Sequence, residues 1–344
     1  MATDSKDNIL TALQLVGSPT SQFYFELSLL YARPVICPPG FRLLFLVAYP
    51  SGEWSLGETP DAPERRSLPE ILAALPAVDL VVPHLFCPDG LTAYRSFFER
   101  VLGLPLVGSP GAVLEVAQRK QLTRLVAKSA GIRVPKGDLI RTGEDDRART
   151  LARELGYPVI VKPDETDNSD GLSLVRDGAD LAGALVRGRE FNSEVLIEEY
   201  IPGREIRGAV LELDGELTVL PFIEYLVSEE HPIRLAADKL TTAADGTVTG
   251  QSNKENVPAV CPADLDDRLT AELGRMMQRM HRLLRCRDYS LYDFRVDERT
   301  GIPYLLEAGL FWSFGEISMI SSMLRAGGFD LTDVTGRIWR SATG

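Results

Sequence analysis

The chain reads as an open α/β domain followed by two α+β modules. Three observations lead there. Short apolar strands alternate with helical stretches up to about residue 106. A second strand-rich block ends near residue 203, and a third closes with a long amphipathic helix and a β-hairpin. The expected blocks are therefore 1–106, 107–203 and 204–344. A length of 344 residues suits two or three domains, at roughly 100–200 residues each.

In the first block, Ala12 to Ser18 predicts a strand entering a small-residue turn, and Val78 to Pro83 predicts a buried strand. His84 to Gly90 follows it, and a helix is expected over Tyr94 to Leu102. In such sheets ligands gather at the carboxyl ends of strands, where Ser18 and His84 would lie. The second block begins with a helical pattern from Val113 to Ala130, with Gly131 as the C-cap and Pro135 beyond. A helix from about Glu144 to Leu155 stops at Gly156. Strands are expected at Tyr157–Pro163, Leu172–Val175 and Glu194–Ile201. In the third block, strands at Ile206–Leu211 and Leu217–Phe222 precede an irregular stretch from Ser228 to Ala259. A loop of that length in a compact domain is often a functional lid. A helix from about Asp264 to Leu284 then leads to the hairpin.

The hairpin is the most informative stretch. Its arms, Tyr292 to Val296 and Ile302 to Gly309, flank an Asp-Glu-Arg-Thr-Gly turn. With Thr300 near the apex, Asp293 lies roughly opposite Glu307. Directly opposed carboxylates repel and weaken a sheet. A cation between them resolves the conflict, and hard cations such as Mg²⁺ take oxygen ligands. Two solvated acids on a hairpin face is the alternative.

Hydrophobic content of 44% and charged content of 25% are ordinary for a globular protein. A net charge of −12 argues against a nucleic-acid partner, because phosphate backbones need a basic footprint. A polyphosphate ligand would need local basic groups and metal. The apolar run Ile9–Val16 is short and follows acidic and polar residues, so neither a signal peptide nor a membrane partner is expected. Cys37, Cys87, Cys261 and Cys286 have no paired spacing and read as reduced thiols, which favours a cytoplasmic location. Only seven lysines occur, so Lys120, Lys162 and Lys239 carry extra weight against a background of arginine.

Lys162, at the end of a strand, offers a point charge for phosphate. The loop amides around Asn168, Ser169 and Gly171 offer an anion cradle. A solvated lysine at a strand end remains the plain alternative. In Val195–Glu205, the backbone near Tyr200 and Ile201 suits an adenine rim. Glu198 could accept from an exocyclic amine, and Glu205 from ribose hydroxyls.

This ordered set resembles the ATP-grasp superfamily, and within it the D-alanine–D-alanine ligases, collinearly over almost the whole chain. The resemblance implies a three-domain ATP-grasp fold. It implies Lys120 and Lys162 as ATP-phosphate lysines and Lys239 on a loop closing over the γ-phosphate and second substrate. It makes Asp293 and Glu307 the metal ligands for Mg²⁺, with Mn²⁺ as an alternative. Glu26 resembles the ligand to the first substrate's ammonium, and His84 with Asp89 the strand-end histidine motif. Ser318 resembles the serine that holds the second substrate's carboxylate.

Departures accompany the matches. Gly309 replaces an asparagine metal ligand, Leu291 an oxyanion-stabilising arginine, and Leu240 a tyrosine. Arg295, on the strand face of Asp293, is the candidate substitute for that arginine. Aromatic residues fill Gly309–Gly315, where the family has a small polar acceptor pocket. The expected activity is ATP-dependent joining of small, amino-acid-like carboxylate and amine substrates, with a specificity other than D-alanine. A D-alanine–D-alanine ligase of cell-wall synthesis and an ATP-binding pseudoenzyme or scaffold are the alternatives. A homodimer is implied by the resemblance alone.

Overall fold

A computed structural model describes residues 9–62, 64–166, 169–242, 248–251 and 257–344. Asn168, expected in the phosphate cradle, lies outside the described residues, as does part of the expected lid.

The first sheet has strand order β3-β2-β1-β4. It is built from β1 (Leu10–Gly17), α1 (Gln22–Ala32), β2 (Phe41–Ala48), β3 (Trp54–Gly57), α2 (Leu68–Ala73) and β4 (Leu80–Pro83). β1 is parallel to β2 and to β4, and its run of buried residues reflects cover on both faces. Gly17 ends β1 at φ +90°, where a Cβ would meet the Ala48 carbonyl oxygen at 2.1 Å. The turn after β1 is stitched by Ser28, whose Oγ accepts from the Gly17 N–H (2.7 Å) and donates to the His84 carbonyl (2.6 Å). Two π-type turns, Gly90–Tyr94 and Phe97–Val101, occupy the place of the expected helix.

The helix expected over Val113–Ala130 is two helices, α3 (Gly111–Gln118) and α4 (Lys120–Ser129), broken at an extended Arg119. Asp164 causes the break. Its carbonyl accepts from Lys120 N–H (3.1 Å) and its Oδ1 from Gln121 N–H (2.7 Å). These bonds satisfy amides that a helix start leaves orphaned. They also fix Lys120 beside the end of the strand that carries Lys162.

The central sheet, order β5-β8-β6-β7, is antiparallel and contains β5 (Gly137–Arg141), β6 (Val159–Pro163), β7 (Ser173–Val175) and β8 (Glu194–Glu199). Helices α5 (Asp145–Leu155) and α6 (Leu181–Arg189) cover one face. Val159, Val161, Val195 and Ile197 pack into that core. The period of two therefore turns Ile160, Lys162 and Glu198 to the other face.

The third sheet runs β14-β11-β9-β15-β16, with β10 also on β9. Its strands are β9 (Gly203–Leu213), β10 (Glu216–Val219), β11 (Ile223–Tyr225), β14 (Ala259–Val260), β15 (Tyr289–Asp297) and β16 (Pro303–Gly309). Within the expected lid, β12 (Leu240–Thr242) and β13 (Val248–Gln251) form a separate hairpin, and β13 lies beside α1. Helix α7 (Asp267–Leu284) lies against one face of the third sheet, where Ile206, Val210, Tyr292 and Phe294 join Leu273 and Met277. Glu205, Arg207, Asp293 and Arg295 alternate with those residues and so face the opposite way. Helices α8 (Met319–Ala326) and α9 (Leu331–Thr343) close the chain. Among the described residues no helix is long and apolar enough to cross a membrane.

Asp293 pairs with Glu307. The register changes directly below that pair, because Phe294 faces Leu305 and leaves Leu306 as an extra residue on β16. This bulge turns Leu305 into the core while Glu307 shares a face with Asp293. Bulges commonly re-aim side chains in this way next to active sites.

Candidate active site

The outward faces of the central and third sheets enclose a cleft of about 750 Å³. Lys120, Lys162, Ser169, Glu198, Tyr200, Ile201, Glu205, Lys239, Arg295, Asp293 and Glu307 all line it, so most of the expected nucleotide and metal residues converge. Lys162 Nζ lies 2.5 Å from Glu198 Oε1, and Arg124 Nη1 donates to Glu198 Oε2 at 2.5 Å. Both carboxylate oxygens of the buried Glu198 are thus engaged, so it fixes Lys162. The expected acceptor for an exocyclic amine is thus a buried carboxylate that already holds two cations. Lys120 donates to the Thr166 carbonyl (2.5 Å) and lies 3.9 Å from Glu307.

Arg295 corrects an expectation. Its guanidinium donates to the Ile201 carbonyl (3.0 Å), the Tyr200 hydroxyl (2.8 Å), the Pro232 carbonyl (2.9 Å) and Glu205 (3.3 Å). It therefore braces the nucleotide rim and does not reach the substrate side. Glu205 also accepts from Arg234 at 2.6 Å, and the Arg234 guanidinium stacks 3.4 Å from the Tyr225 ring centroid.

A second cavity, about 1430 Å³, adjoins the first and shares Arg234, Lys239, Asp293 and Glu307 with it. Arg207 stands in this cavity. It pairs with Asp293 across β9 and β15, and its Nε and Nη2 donate to the two Asp293 oxygens at 2.5 Å each. Burial pushes the Asp293 carboxyl up, but Arg207 outweighs it and holds the group below the usual carboxylate value. Burial acts likewise on Glu307, and there Lys120, Lys239 and Lys162 together outweigh it and the Asp293 charge. Both acids are therefore anionic at neutral pH.

Among the described residues no group of three or more acids, histidines or cysteines is placed to hold a metal. Two opposed carboxylates nevertheless suit Mg²⁺, which typically takes one or two carboxylates and fills its sphere with phosphate oxygens and water. The donor set fits a metal that arrives with a nucleotide, with Glu307 as the more accessible ligand.

The amino-terminal expectations are revised. Glu26, His84 and Asp89 line neither cavity. Helix α1 turns Tyr24, Leu27 and Tyr31 to the second cavity, and Glu26, two residues from Tyr24, accepts from Gln22 at 2.7 Å. Residues two apart on a helix do not share a face. His84 is fully buried against Phe86 and Phe314. Burial, then Arg95, pushes its pKa down to about 3, so it is neutral. Asp89 is exposed at the head of the first π-type turn.

Ser318 lines the second cavity, but its hydroxyl is saturated. It accepts from Trp312 Nε1 (2.8 Å) and Ser321 N–H (3.1 Å). It donates to Ser321 Oγ (2.8 Å), whose own proton goes to the Gly315 carbonyl (2.6 Å). One donor and two acceptors are all a serine hydroxyl has. Ser318 caps α8 and anchors Trp312, and has no proton left for a carboxylate.

Arg207, Arg234 and Tyr24 were missed by the sequence reading. The alternation Glu205, Arg207 along a strand, and the helical spacing of Tyr24, Leu27 and Tyr31, were the available signals.

Central and third sheets that clasp a lysine-lined cleft over opposed carboxylates define an ATP-grasp enzyme. The family model described as D-ala D-ala ligase C-terminus matches residues 126–339, more than half of the chain. The chain belongs to this D-alanine–D-alanine ligase family of C–N bond-forming ligases. Among its relatives, the uncharacterized protein y4sG of Sinorhizobium fredii is 32% identical over 60% of this chain and 56% of its own length. The D-alanine–D-alanine ligase of Syntrophobacter fumaroxidans is 32% identical over 64% of this chain and 69% of its own. The fold matches the VanG D-Ala:D-Ser ligase of Enterococcus faecalis with a TM-score of 0.79 at 21% identity, covering 97% and 99% of the two chains. It matches the ATP complex of the Bacillus anthracis D-alanine–D-alanine ligase at 0.71 and 17% identity, covering 97% of each chain.

Two outcomes are expected. Burial, then Arg234, brings the Lys239 pKa down to about 8. A phosphate at this position would meet its charged form, so kcat/KM for ATP should be level below that value and fall above it. Lys239→Arg should move the fall upward by at least about one pH unit; an unchanged profile would exclude Lys239 as its source. Ser318→Ala should destabilise the fold by about 0.5–2 kcal/mol, by removing the side-chain N-cap of α8, while changing KM for either substrate little; Trp312 Nε1 keeps Ser321 Oγ as an acceptor at 3.1 Å. A large KM increase at unchanged melting temperature would restore the carboxylate-binding role.

Proposed function

We propose that the chain is an ATP-dependent carboxylate–amine ligase that forms an amide through an acyl phosphate, with a specificity other than D-alanine. One observation carries the reading: a nucleotide-sized cleft and a separate substrate cavity meet at Asp293, Glu307, Lys239 and Arg234. Carboxylates are poor electrophiles, so amide formation requires activation. Lys120 and Lys162 orient the phosphates, each held in place by partners on its own side of the cleft. A carboxylate bound in the second cavity attacks the γ-phosphorus, and ADP leaves. An amine then attacks the acyl carbon, and phosphate leaves. Positioning and preorganised charge supply the acceleration. A Mg²⁺ or Mn²⁺ ion on Glu307 and Asp293 would neutralise charge developing on the transferred group.

Arg207 takes the role that Leu291 cannot. It projects from β9 beside Asp293 into the substrate cavity, where an oxyanion would form. The lid segment that carries Lys239 excludes water from the acyl phosphate. The reading assigns residues 1–106 to the substrate domain and 107–203 with 204–344 to the ATP-grasp pair. It takes small carboxylate and amine partners, a cytoplasmic setting and a homodimer, the last testable by light scattering. A second reading, nucleotide binding without ligation, is favoured by Leu291 standing directly opposite Gly309, two positions without polar side chains. ATP binding with no acceptor-dependent ADP release would select it.

Glu307→Gln should lower turnover at least about a hundredfold with the fold intact; unchanged turnover would remove the carboxylate pair from the mechanism. Arg207→Lys keeps the charge but loses the two-pronged contact. It should lower kcat about tenfold or more at near-constant KM for ATP, and a change confined to KM for ATP would place Arg207 in nucleotide binding instead.

A further inference from the structure

We infer that the second cavity takes a carboxylic acid with an aromatic or extended apolar body and no α-amino group. The inference rests on the ligase reading and names the substrate of the same site. The cavity is polar at one end and aromatic at the other. Arg207, Arg234 and Lys239 stand at the junction with the nucleotide cleft, where the reacting carboxylate must lie. The far wall is a run of rings from three parts of the chain. Tyr31 lies 5.8 Å from Phe86, and Phe86 lies 5.5 Å from Phe311. Phe311 is 39% exposed although its neighbours Leu310 and Trp312 are buried at 2% each. A bound apolar body would cover that ring and gain the transfer free energy of its surface.

Among the described residues, no acid stands at the aromatic end of the cavity to match an α-ammonium. The acids that line the cavity are Asp238, Asp293 and Glu307. Arg207 holds both oxygens of Asp293, Lys120 faces Glu307, and Asp238 accepts the Leu235 N–H at 2.8 Å. Among the described residues no acid comes from the aromatic wall, because α1 turns Tyr24 inward and Glu26 elsewhere. The Ser318 hydroxyl is spent on Trp312 and Ser321. An ammonium buried there would lose its water without compensation. A carboxylate lacking one has its charge matched at the junction and its body matched at the rings.

The test reads the carboxylate half alone. With hydroxylamine as the amine, ATP and the acid should yield an acyl hydroxamate, ADP and phosphate. The acid's oxygen bonds to the γ-phosphorus as the bond to ADP breaks. The hydroxylamine nitrogen then bonds to the acyl carbon as phosphate leaves, and its proton goes to solvent. The acids are 3-phenylpropionate, D- and L-phenylalanine and D-alanine, with melting-temperature shifts measured in parallel without ATP. Hydroxamate formation with 3-phenylpropionate should exceed that with either phenylalanine, or with D-alanine, at least about tenfold in kcat/KM. Equal or better use of an amino acid overturns the inference and leaves the ligase reading standing. Stabilisation by 3-phenylpropionate alone, with no hydroxamate from any acid, supports the inference while the ligase reading fails. Neither turnover nor stabilisation with 3-phenylpropionate overturns it. Tyr24→Glu should shift the preference toward phenylalanine, and Phe311→Ala, at an exposed position, should weaken 3-phenylpropionate use selectively. An unchanged preference in both variants contradicts the assignment.

Discussion

Two carboxylates, Asp293 and Glu307, are held side by side on adjacent strands of one hairpin, and much of the site's architecture serves to make that arrangement tolerable. Opposed like charges destabilise a sheet. Arg207 answers one acid with two hydrogen bonds from the neighbouring strand, and Lys120 approaches the other from the start of α4. The Leu306 bulge brings the pair onto one face while Leu305 stays in the core. The broken helix and Asp164 then make sense together, because the break places Lys120 within reach of Glu307.

The same device recurs along the cleft. Glu198 sits between Lys162 and Arg124, and Glu205 between Arg234 and Arg295. Buried ion pairs add little stability over well-packed apolar groups. Their value here is positional, because Lys162 and Arg234 are fixed in advance by the buried carboxylates Glu198 and Glu205. Charges arranged before the substrate arrives need no reorganisation during reaction. Arg207 differs in that its partner, Asp293, lines both cavities. It couples the nucleotide side of the site to the substrate side.

Strands with clear alternation were readable from the sequence. The strand expected at Tyr157–Pro163 has its observed end but begins two residues later, at Val159, and the opposition of Asp293 and Glu307 followed from hairpin counting. That counting succeeded for a reason it did not contain. Below the pair the register is shifted by one, and only the bulge reconciles an apex near Thr300 with the observed pairing. The helix break at Arg119 was not legible, because its cause is Asp164, distant in sequence. The amino-terminal site was misread for a related reason. Matching Glu26 to an ammonium ligand ignored the helical face, which turns Tyr24 inward, and His84 was placed at a strand end without sight of Phe86 and Phe314 against it. Ser318 shows the limit most plainly. A serine's position can be inferred from a motif, but whether its single proton is already spent depends on Trp312 and Ser321.

The central claim is that a carboxylate in the second cavity is phosphorylated across the Asp293–Glu307 junction. Transfer of oxygen isotope tests it most directly. With a carboxylate substrate labelled with ¹⁸O in both oxygens, the account predicts that each amide formed releases inorganic phosphate carrying one labelled oxygen. Product formation with unlabelled phosphate would contradict the acyl phosphate and the junction with it.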